Sequence, residues 1–148
     1  MQKLLTKNKR AFYDFEVLER FEAGMVLHGY EVKSLKLGRG SFNGTFVTIQ
    51  NGEAFIEHLH IPLYDKTTME NYEPETRRKL LLNKTELIKI GSALNTKGMT
   101  IVPLAIGLTG GRVKMEIAMV RGKKLYDKRE SIKKRDVKRH IETSLKDY

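Results

Sequence analysis

The 148-residue sequence contains no cysteine, no tryptophan and only three prolines. Without cysteine the chain forms no disulfide and offers no thiolate to a metal. No apolar run approaches the roughly 20 residues that a membrane-spanning helix requires, and no apolar segment follows the basic N-terminus as in a signal peptide. We therefore expect no membrane span and a cytoplasmic location. The absence of a stiff linker favours a single domain with one core.

Positive charge is the most unusual feature of the composition, since 28 basic residues oppose 18 acidic ones. Residues 1–10 hold four basic residues and no acid, and residues 121–148 hold eleven basic and five acidic residues. The body between them is formally neutral. Two basic ends suit a polyanion binder, because each Lys or Arg beside a phosphate releases a counterion. Charge alone leaves open a pair of solvated tails, or an acidic membrane surface, for which the tail lacks an inserting Trp or Phe.

The clearest elements that the local pattern predicts are β-strands. Asn51-Gly52 separates two segments rich in β-branched and aromatic residues, which predicts a β-hairpin over 45–58. A second hairpin is predicted over 99–120, where apolar and polar residues alternate after a glycine-containing turn. An earlier pair of strands is expected over Tyr13–Arg20 and Ala23–Tyr30.

About three helices are expected beside these strands. Asn83 and Glu86 form a capping box pattern, which predicts a helix that ends at Gly98. Short helices are also expected over 74–82, where a proline stands first, and over 31–37. Six strands in one domain of this size predict a mainly β protein whose antiparallel sheet closes as a six-stranded OB-type barrel.

The C-terminal segment differs from the rest because it is largely charged and holds neither glycine nor proline beyond residue 129. Three apolar residues four positions apart form one narrow stripe on it: Val137, Ile141 and Leu145. Such a segment is marginal as an isolated helix. The sequence therefore predicts two parts, an OB-type barrel domain over 1–122 and a basic tail over 123–148 that is flexible when free and helical on a partner.

No arrangement of residues predicts a catalytic site, a bound metal or a cofactor. Phosphate-binding glycine motifs and the nucleophile elbow are absent, and Gly107 to Gly111 are interpreted as turn glycines. His58 and His60 share one face of a predicted strand, but no third metal ligand stands nearby in the sequence. We expect a protein that is not an enzyme. A nuclease that uses these two histidines is the alternative from another functional class.

Basic residues recur beside aromatic residues or glycines in three clusters, over 8–13, 77–79 and 121–129. The cationic groups hold phosphates, and a neighbouring ring stacks on an unpaired base. One such cluster is typical of plain surface. Three of them at the margins of a small barrel favour nucleic-acid binding.

Five stretches, spread in order over most of the chain, carry a family resemblance: Asn8-Lys9-Arg10-Ala11, Phe21-Glu22-Ala23-Gly24, Gly29-Tyr30-Glu31-Val32-Lys33-Ser34-Leu35, Arg78-Lys79-Leu80-Leu81-Leu82 and Gly122-Lys123-Lys124-Leu125-Tyr126-Asp127-Lys128-Arg129. With them the chain resembles the small protein B family, also called SsrA-binding protein, which binds transfer-messenger RNA. The resemblance implies an OB-type barrel that binds the tRNA-like domain of that RNA. It also implies delivery of the RNA to the A site of a stalled ribosome.

The resemblance further implies that the basic tail senses an empty message channel beside the decoding centre of the small ribosomal subunit. It implies no membrane partner and no cofactor, and we expect a monomer. The alternative within the same class is another OB-type RNA-binding protein associated with the ribosome or with translation.

Together, the first cluster and the resemblance assign RNA-binding residues in the body and just beyond it: Asn8, Lys9, Arg10, Tyr13, Glu22, Leu81, Asn83, Lys123 and Lys124. The tail residues expected at the decoding centre and message channel are Tyr126, Asp127, Lys128, Arg129, Lys133, Lys134 and Arg135. Because Glu22 is acidic, it is expected to accept a hydrogen bond from a base or ribose rather than to contact phosphate. A structural carboxylate is the alternative for Glu22, and a core position is the alternative for Leu81.

Overall fold

The computed structural model describes residues 1–65 and 67–122, which form seven strands and three helices. In chain order the elements are β1 (Lys3–Lys7), α1 (Lys9–Asp14), β2 (Phe15–Met25), α2 (Gly29–Lys36), β3 (Phe46–Gln50), β4 (Glu53–Glu57), β5 (Arg78–Leu81), α3 (Lys84–Leu94), β6 (Met99–Thr109) and β7 (Arg112–Gly122). Every strand pair is antiparallel. The protein is therefore mainly β, as the sequence predicted. Among the described residues, no helix combines the length and the apolar character needed to cross a membrane.

The strands form one sheet in the order β1-β6-β7-β2-β5-β4-β3. Strand β3, at one end of this order, also packs against β6 near the other end, so the sheet curls around a common core. The largest fully buried side chains of that core are Leu35, Val47, Ile56, Leu59, Ile61, Leu80, Ile90, Ile101, Ile106, Met115 and Ile117. Helices α2 and α3 each contribute to the core, through Leu35 and Ile90 respectively.

Both predicted hairpins are confirmed. Asn51 and Gly52 have positive φ angles of 52° and 75°, which a two-residue turn between β3 and β4 requires. Gly110 and Gly111, with φ of 58° and 77°, turn the chain between β6 and β7. Strands β6 and β7 then pair along almost their whole length, from Met99 opposite Arg121 to Thr109 opposite Arg112.

The predicted helices are confirmed in two cases. The backbone N–H of Glu86 donates to the Asn83 side chain at 2.8 Å, and the backbone N–H of Asn83 donates to Glu86 Oε1 at 3.1 Å, so the capping box starts α3. This helix ends at Leu94, before Gly98. The expected helix over 31–37 corresponds to α2, whose first turn carries Glu31.

The prediction of six strands is wrong, because the described residues form seven. The pair expected over Tyr13–Arg20 and Ala23–Tyr30 is one continuous strand, β2, preceded by the unpredicted α1 and followed by α2. The helix expected over 74–82 is wrong as well, since that segment supplies β5. Leu80 of β5 pairs with Ala54 on one side and Met25 on the other, so tertiary pairing overrides the helical propensity of this leucine-rich run.

Helix α1 covers part of the outer face of the sheet, the face directed away from the main core. Ala11 of α1 is buried against Val102, Leu104, Ala118 and Val120, which form a second, smaller apolar cluster. No periodic pattern of apolar residues predicts this six-residue helix. Beyond α1, the described residues leave Arg20 and Glu22 on the outer face of β2 exposed.

The interpretation of Gly107 as a turn glycine is wrong. Gly107 is a buried residue within β6. Strand β1 crosses it so closely that a Cβ atom at Gly107 would lie 2.6 Å from the Lys3 carbonyl oxygen and 2.6 Å from Met1 Sδ. Only glycine therefore allows β1 to pair with β6 here.

We expect the Gly107→Ala variant to lose about 1–3 kcal/mol of unfolding free energy, because the backbone of β1 must move to admit the methyl group. Urea denaturation measures this loss, and faster amide exchange at Gln2, which donates to Leu108, localises it to β1. Gly122→Ala is the matched control, since a Cβ at Gly122 meets no heavy atom of the described residues within 4 Å. Equal stability of the two variants would contradict this role for Gly107.

Candidate RNA-binding surface

The face of β2 that is directed away from the main core carries two charged residues and a glycine. Phe21 and Ala23 are buried in the main core, and because side chains alternate along a strand, Arg20, Glu22 and Gly24 face outward. Both charged residues are exposed. We call this side of β2, β5 and β7 the outer sheet face.

Strand β7 adds charged residues to the outer sheet face. Glu116 pairs in register with Glu22, and Lys114 pairs with Gly24. Arg20 Nη1 lies 3.4 Å from Glu116 Oε1 in an exposed ion pair, and Thr109 Oγ1 donates to Glu22 Oε1 at 3.4 Å. Glu22 thus keeps oxygen lone pairs that can accept further hydrogen bonds.

Leu81 of β5 lies directly beside Gly24, with which it pairs. A Cβ atom at Gly24 would lie 3.4 Å from Leu81 Cβ and 3.7 Å from Lys114 Nζ, so the leucine and the lysine flank the glycine. Leu81 is 53% exposed, so it does not belong to the core. An exposed leucine of this kind can instead form part of a contact surface. The structure therefore brings together Glu22 and Leu81, which the family resemblance implied, and adds Lys114.

Asn83 follows two residues after Leu81 and is exposed at the N-terminus of α3. Its side-chain oxygen accepts the backbone N–H of Glu86. This carbonyl oxygen is thus used to cap the helix, and the amide NH₂ group is the part of Asn83 with donors to offer a ligand.

The first basic cluster lies on α1 and immediately before it. Asn8 Nδ2 donates to the Pro103 carbonyl oxygen at 2.8 Å, which fixes this corner to β6 beside an irregularity in its pairing with β7. Lys9 is exposed. Arg10 lies 3.1 Å from Asp14 and places its guanidinium 5.2 Å from the ring centroid of Tyr13.

Phe12 connects α1 to the outer sheet face. Two cations lie near its ring, with Lys7 Nζ 5.3 Å and the Arg20 guanidinium 5.5 Å from the ring centroid. The two groups of predicted residues are thus linked through Phe12 and Arg20. Arg20 and Lys114 were not predicted, because their only signal in the sequence is a charged residue at an alternating position of a strand.

Several cations of this surface lack an ion pair within residues 1–65 and 67–122. No carboxylate of that part of the chain lies within 4 Å of the side-chain nitrogens of Lys9, Arg112 or Lys114. Such cations are available to phosphates, whereas Glu22 offers an acceptor to a base or ribose. The surface combines phosphate-binding and base-binding chemistry.

The second basic cluster, over 77–79, does not form a free cationic surface. Arg78 is buried and pairs with Glu31. Lys79 Nζ lies 3.0 Å from Glu53, and Arg77 Nη2 lies 2.8 Å from Glu57. Burial acts to raise the pKa of Glu57, but hydrogen bonds from Thr48 and Arg77 outweigh it and hold this pKa below its ordinary value.

The remaining predicted site residues lie outside the described part of the chain: Lys123, Lys124, Tyr126, Asp127, Lys128, Arg129, Lys133, Lys134 and Arg135.

The two histidines considered as metal ligands are described. His58 Nδ1 and His60 Nδ1 lie 3.8 Å and 3.3 Å from the two oxygens of Glu75. In the ranges that the structure covers, no group of three or more His, Asp or Glu side chains is arranged to hold a metal ion.

Comparison with known proteins identifies the family. The model of the SmpB protein family matches residues 5–147. The SsrA-binding protein of Geotalea uraniireducens is 47% identical over 146 residues, which cover 99% of this chain and 97% of the relative. That of Acholeplasma laidlawii is 45% identical over 144 residues, 97% of each chain.

A solved structure is also similar. It is described as "tmRNA-SmpB: a journey to the center of the bacterial ribosome", and its matching chain superposes with a TM-score of 0.70 at 40% identity. The match covers 96% of this chain and 97% of the other. Agreement in sequence and in fold over nearly the full length leads to one conclusion: the chain belongs to the SmpB protein family.

Proposed function

We propose that this chain binds transfer-messenger RNA and acts in trans-translation, the rescue of stalled ribosomes. Family membership over nearly the whole chain carries this proposal, because the relatives are SsrA-binding proteins and the similar solved structure concerns tmRNA and SmpB in the bacterial ribosome. The exposed surface that joins Glu22, Leu81 and Lys114 supports it. Acting on ribosomes, the protein works in the cytoplasm.

The outer sheet face and the adjoining α1 form the RNA-binding surface in this proposal. Lys9 and Lys114 contact phosphates, and Glu22 accepts a hydrogen bond from a base or ribose. Leu81 gives an apolar contact to a base. Asn8 and Arg10 act beside them, and Tyr13 offers a ring at the same end of the surface.

The body over 1–122 is proposed to be an OB-type barrel. The antiparallel curled sheet, the contact of β3 with β6 and the packing of α3 against both strands support this type. The protein acts as a monomer and without catalysis or cofactor, through binding alone.

The tail over 123–148 is proposed to sense the empty message channel. Lys123 and Lys124 contact RNA where the chain leaves β7, and Tyr126, Asp127, Lys128 and Arg129 act in the decoding centre. Lys133, Lys134 and Arg135 follow along the channel, where their charges meet ribosomal phosphates. The eleven basic residues of 121–148 support this role.

Binding of the purified protein to a transcript of the tRNA-like domain tests the proposal. We expect affinity to fall steeply with rising salt, because phosphate contacts release counterions. The Lys114→Gln variant is expected to bind more weakly and to lower the slope of log K against log salt by about 1, as one lost phosphate contact predicts.

Lys97→Gln is the matched control, with the same loss of charge at an exposed lysine. Lys97 precedes Met99, which pairs with Arg121 at the opposite end of β7 from Lys114. The proposal would be refuted if the affinity of the wild-type protein for this transcript did not depend on salt, or if the protein bound any RNA duplex equally well. Recovery of many ribosomal RNAs and no dominant other RNA from lysate would favour the alternative, another translation-associated RNA-binding protein.

A further inference from the structure

The end of β7, from which the basic tail continues, belongs to a short piece of ladder that is set apart from the rest of the sheet. A bulge between Val17 and Glu19 interrupts the pairing of β2 with β7. Beyond this bulge, three residue pairs join the end of β7 to the start of β2: Val120 with Val17, Arg121 with Glu16 and Gly122 with Phe15. We call residues 120–122 the root of the tail.

An ion pair adds side-chain contacts to this short ladder. Arg121 Nε donates to Glu16 Oε2 at 2.9 Å, and Arg121 Nη2 donates to Glu16 Oε1 at 3.2 Å. A bidentate pair of this kind fixes the relative orientation of its two side chains, which a single contact does not. The two residues also lie directly opposite each other in the ladder, where opposite charges attract across the strands.

The root is connected to α1 as well as to β2. Val120 is fully buried in the apolar cluster that contains Ala11 of α1. Arg121 is exposed, and it is the first residue of β7 beyond that cluster. Glu16 lies two residues after the end of α1 at Asp14. The ion pair therefore extends the fixed part of the body by one residue toward the tail.

We propose that the Glu16–Arg121 pair positions the basic tail by fixing the direction in which the chain leaves β7. The inference rests on the proposed function, because a sensing tail enters an empty message channel only if it leaves the RNA-bound body in the correct direction. Glu16 is a positioning residue, since it acts through Arg121 and not on RNA. An exposed ion pair adds little to stability, whereas its bidentate geometry adds directional order.

The Glu16→Arg variant tests the inference because it turns attraction into repulsion while it adds positive charge. Tagging on stalled ribosomes in cell-free translation should become about five-fold slower, a factor that corresponds to about 1 kcal/mol. Affinity for a transcript of the tRNA-like domain should not fall, since no cation is lost. Tagging at the wild-type rate would overturn the inference, and so would a weaker affinity for the transcript.

Lys89→Glu is the matched control, because it reverses one charge of another exposed ion pair of β2. Lys89 Nζ of α3 lies 3.2 Å from Glu19 Oε2, and both side chains are about half exposed, as in the Glu16–Arg121 pair. Both variants should lose the same small amount of unfolding free energy in urea denaturation. Only Glu16→Arg should slow tagging, because Lys89 is not paired with the root. Equal slowing in both variants would indicate a general effect of stability and overturn the inference.

An exchange of the two charges separates the pair from a direct contact of Arg121 with RNA. The double variant Glu16→Arg with Arg121→Glu restores the attraction with reversed polarity and keeps the net charge of the wild type. It should recover most of the tagging rate that Glu16→Arg loses. A double variant that tags no faster than Glu16→Arg would assign Arg121 to an RNA phosphate and overturn the inference.

Directed hydroxyl-radical probing measures the direction of the tail itself. The chain has no cysteine, so Ser131→Cys carries an iron chelate at one position of the tail. Cleavage of ribosomal RNA from this position should change when Glu16→Arg is added and stay the same when Lys89→Glu is added. An unchanged cleavage pattern with Glu16→Arg would overturn the inference.

Glu16→Gln is measured in the same assays should Glu16→Arg not fold, because it removes the attraction without adding repulsion. A smaller slowing of tagging is then expected, again without loss of affinity for the transcript. Tagging by Glu16→Gln at the wild-type rate would overturn the inference. If the wild-type protein itself supports no tagging, the proposed function fails instead.

Discussion

The Arg78→Met variant is expected to lose about 3–5 kcal/mol of unfolding free energy, because it leaves the buried carboxylate of Glu31 without its partner. Both side chains are almost fully buried, with 2% and 3% of their surfaces exposed. Arg78 also donates to the carbonyl oxygens of Leu59 at 2.7 Å and Pro74 at 2.9 Å. The substitution therefore leaves buried acceptors unsatisfied as well as an unpaired charge.

The Arg78–Glu31 pair joins three parts of the chain. Glu31 Oε1 accepts the backbone N–H of His28 at 2.8 Å, which starts α2. Arg78 belongs to β5, and its carbonyl partners, Leu59 and Pro74, both lie within the connection from β4 to β5. Loss of the arginine should therefore loosen α2 and this connection together.

Thermal and urea denaturation measure the effect, with an expected fall in Tm of about 10–20 °C. Arg77→Met is the matched control at the adjacent position. Its guanidinium is 45% exposed and pairs with Glu57, so we expect a loss below about 1 kcal/mol. The double variant Glu31→Met with Arg78→Met should recover part of the loss, since it buries no unpaired charge. Equal losses at Arg77 and Arg78 would contradict the account.

The fold could be predicted from the sequence where short-range chemistry decides it. Asn51-Gly52 prefers the positive φ angles of a tight hairpin turn, and the Asn83 and Glu86 capping box closes its own hydrogen bonds. Both signals depend on residues at most three positions apart. The structures that they predict therefore do not depend on how distant parts of the chain pack.

The missed elements depend on distant partners. Strand β1 is held by pairing with β6, about a hundred residues later, and by the absence of a side chain at Gly107. Strand β5 follows from the burial of Arg78 against Glu31 and of Leu80 between two strands. No local periodicity carries this information, because the cause lies in tertiary packing.

The candidate site, like the fold, could be predicted from the sequence only in part. Family resemblance supplied Glu22 and Leu81, and the structure brings them to one exposed face through the pairing of Gly24 with Leu81. Arg20 and Lys114 were missed because each is one charged residue among many on an alternating strand. Only the register of β2 against β7 shows that they share this face.

Deleting residues 130–148 is expected to abolish tagging on stalled ribosomes while leaving affinity for the isolated tRNA-like RNA nearly unchanged. The proposed RNA-binding surface in the body, with Glu22, Leu81 and Lys114, lies before β7 ends at Gly122. The deletion removes the apolar stripe and most of the tail's basic residues, which the proposed channel-sensing role requires. Binding to the tRNA-like transcript and tagging in cell-free translation of a message without a stop codon measure the two effects separately.

A tail with residues 130–148 in scrambled order is the matched control, because it keeps the charge and length but breaks the spacing of Val137, Ile141 and Leu145. We expect it to fail in tagging, since a helix without that stripe lacks a continuous apolar side to dock. Tagging by the scrambled protein would show that charge alone suffices and would refute the helical role. Loss of RNA binding in the deletion would refute the division into a binding body and a sensing tail.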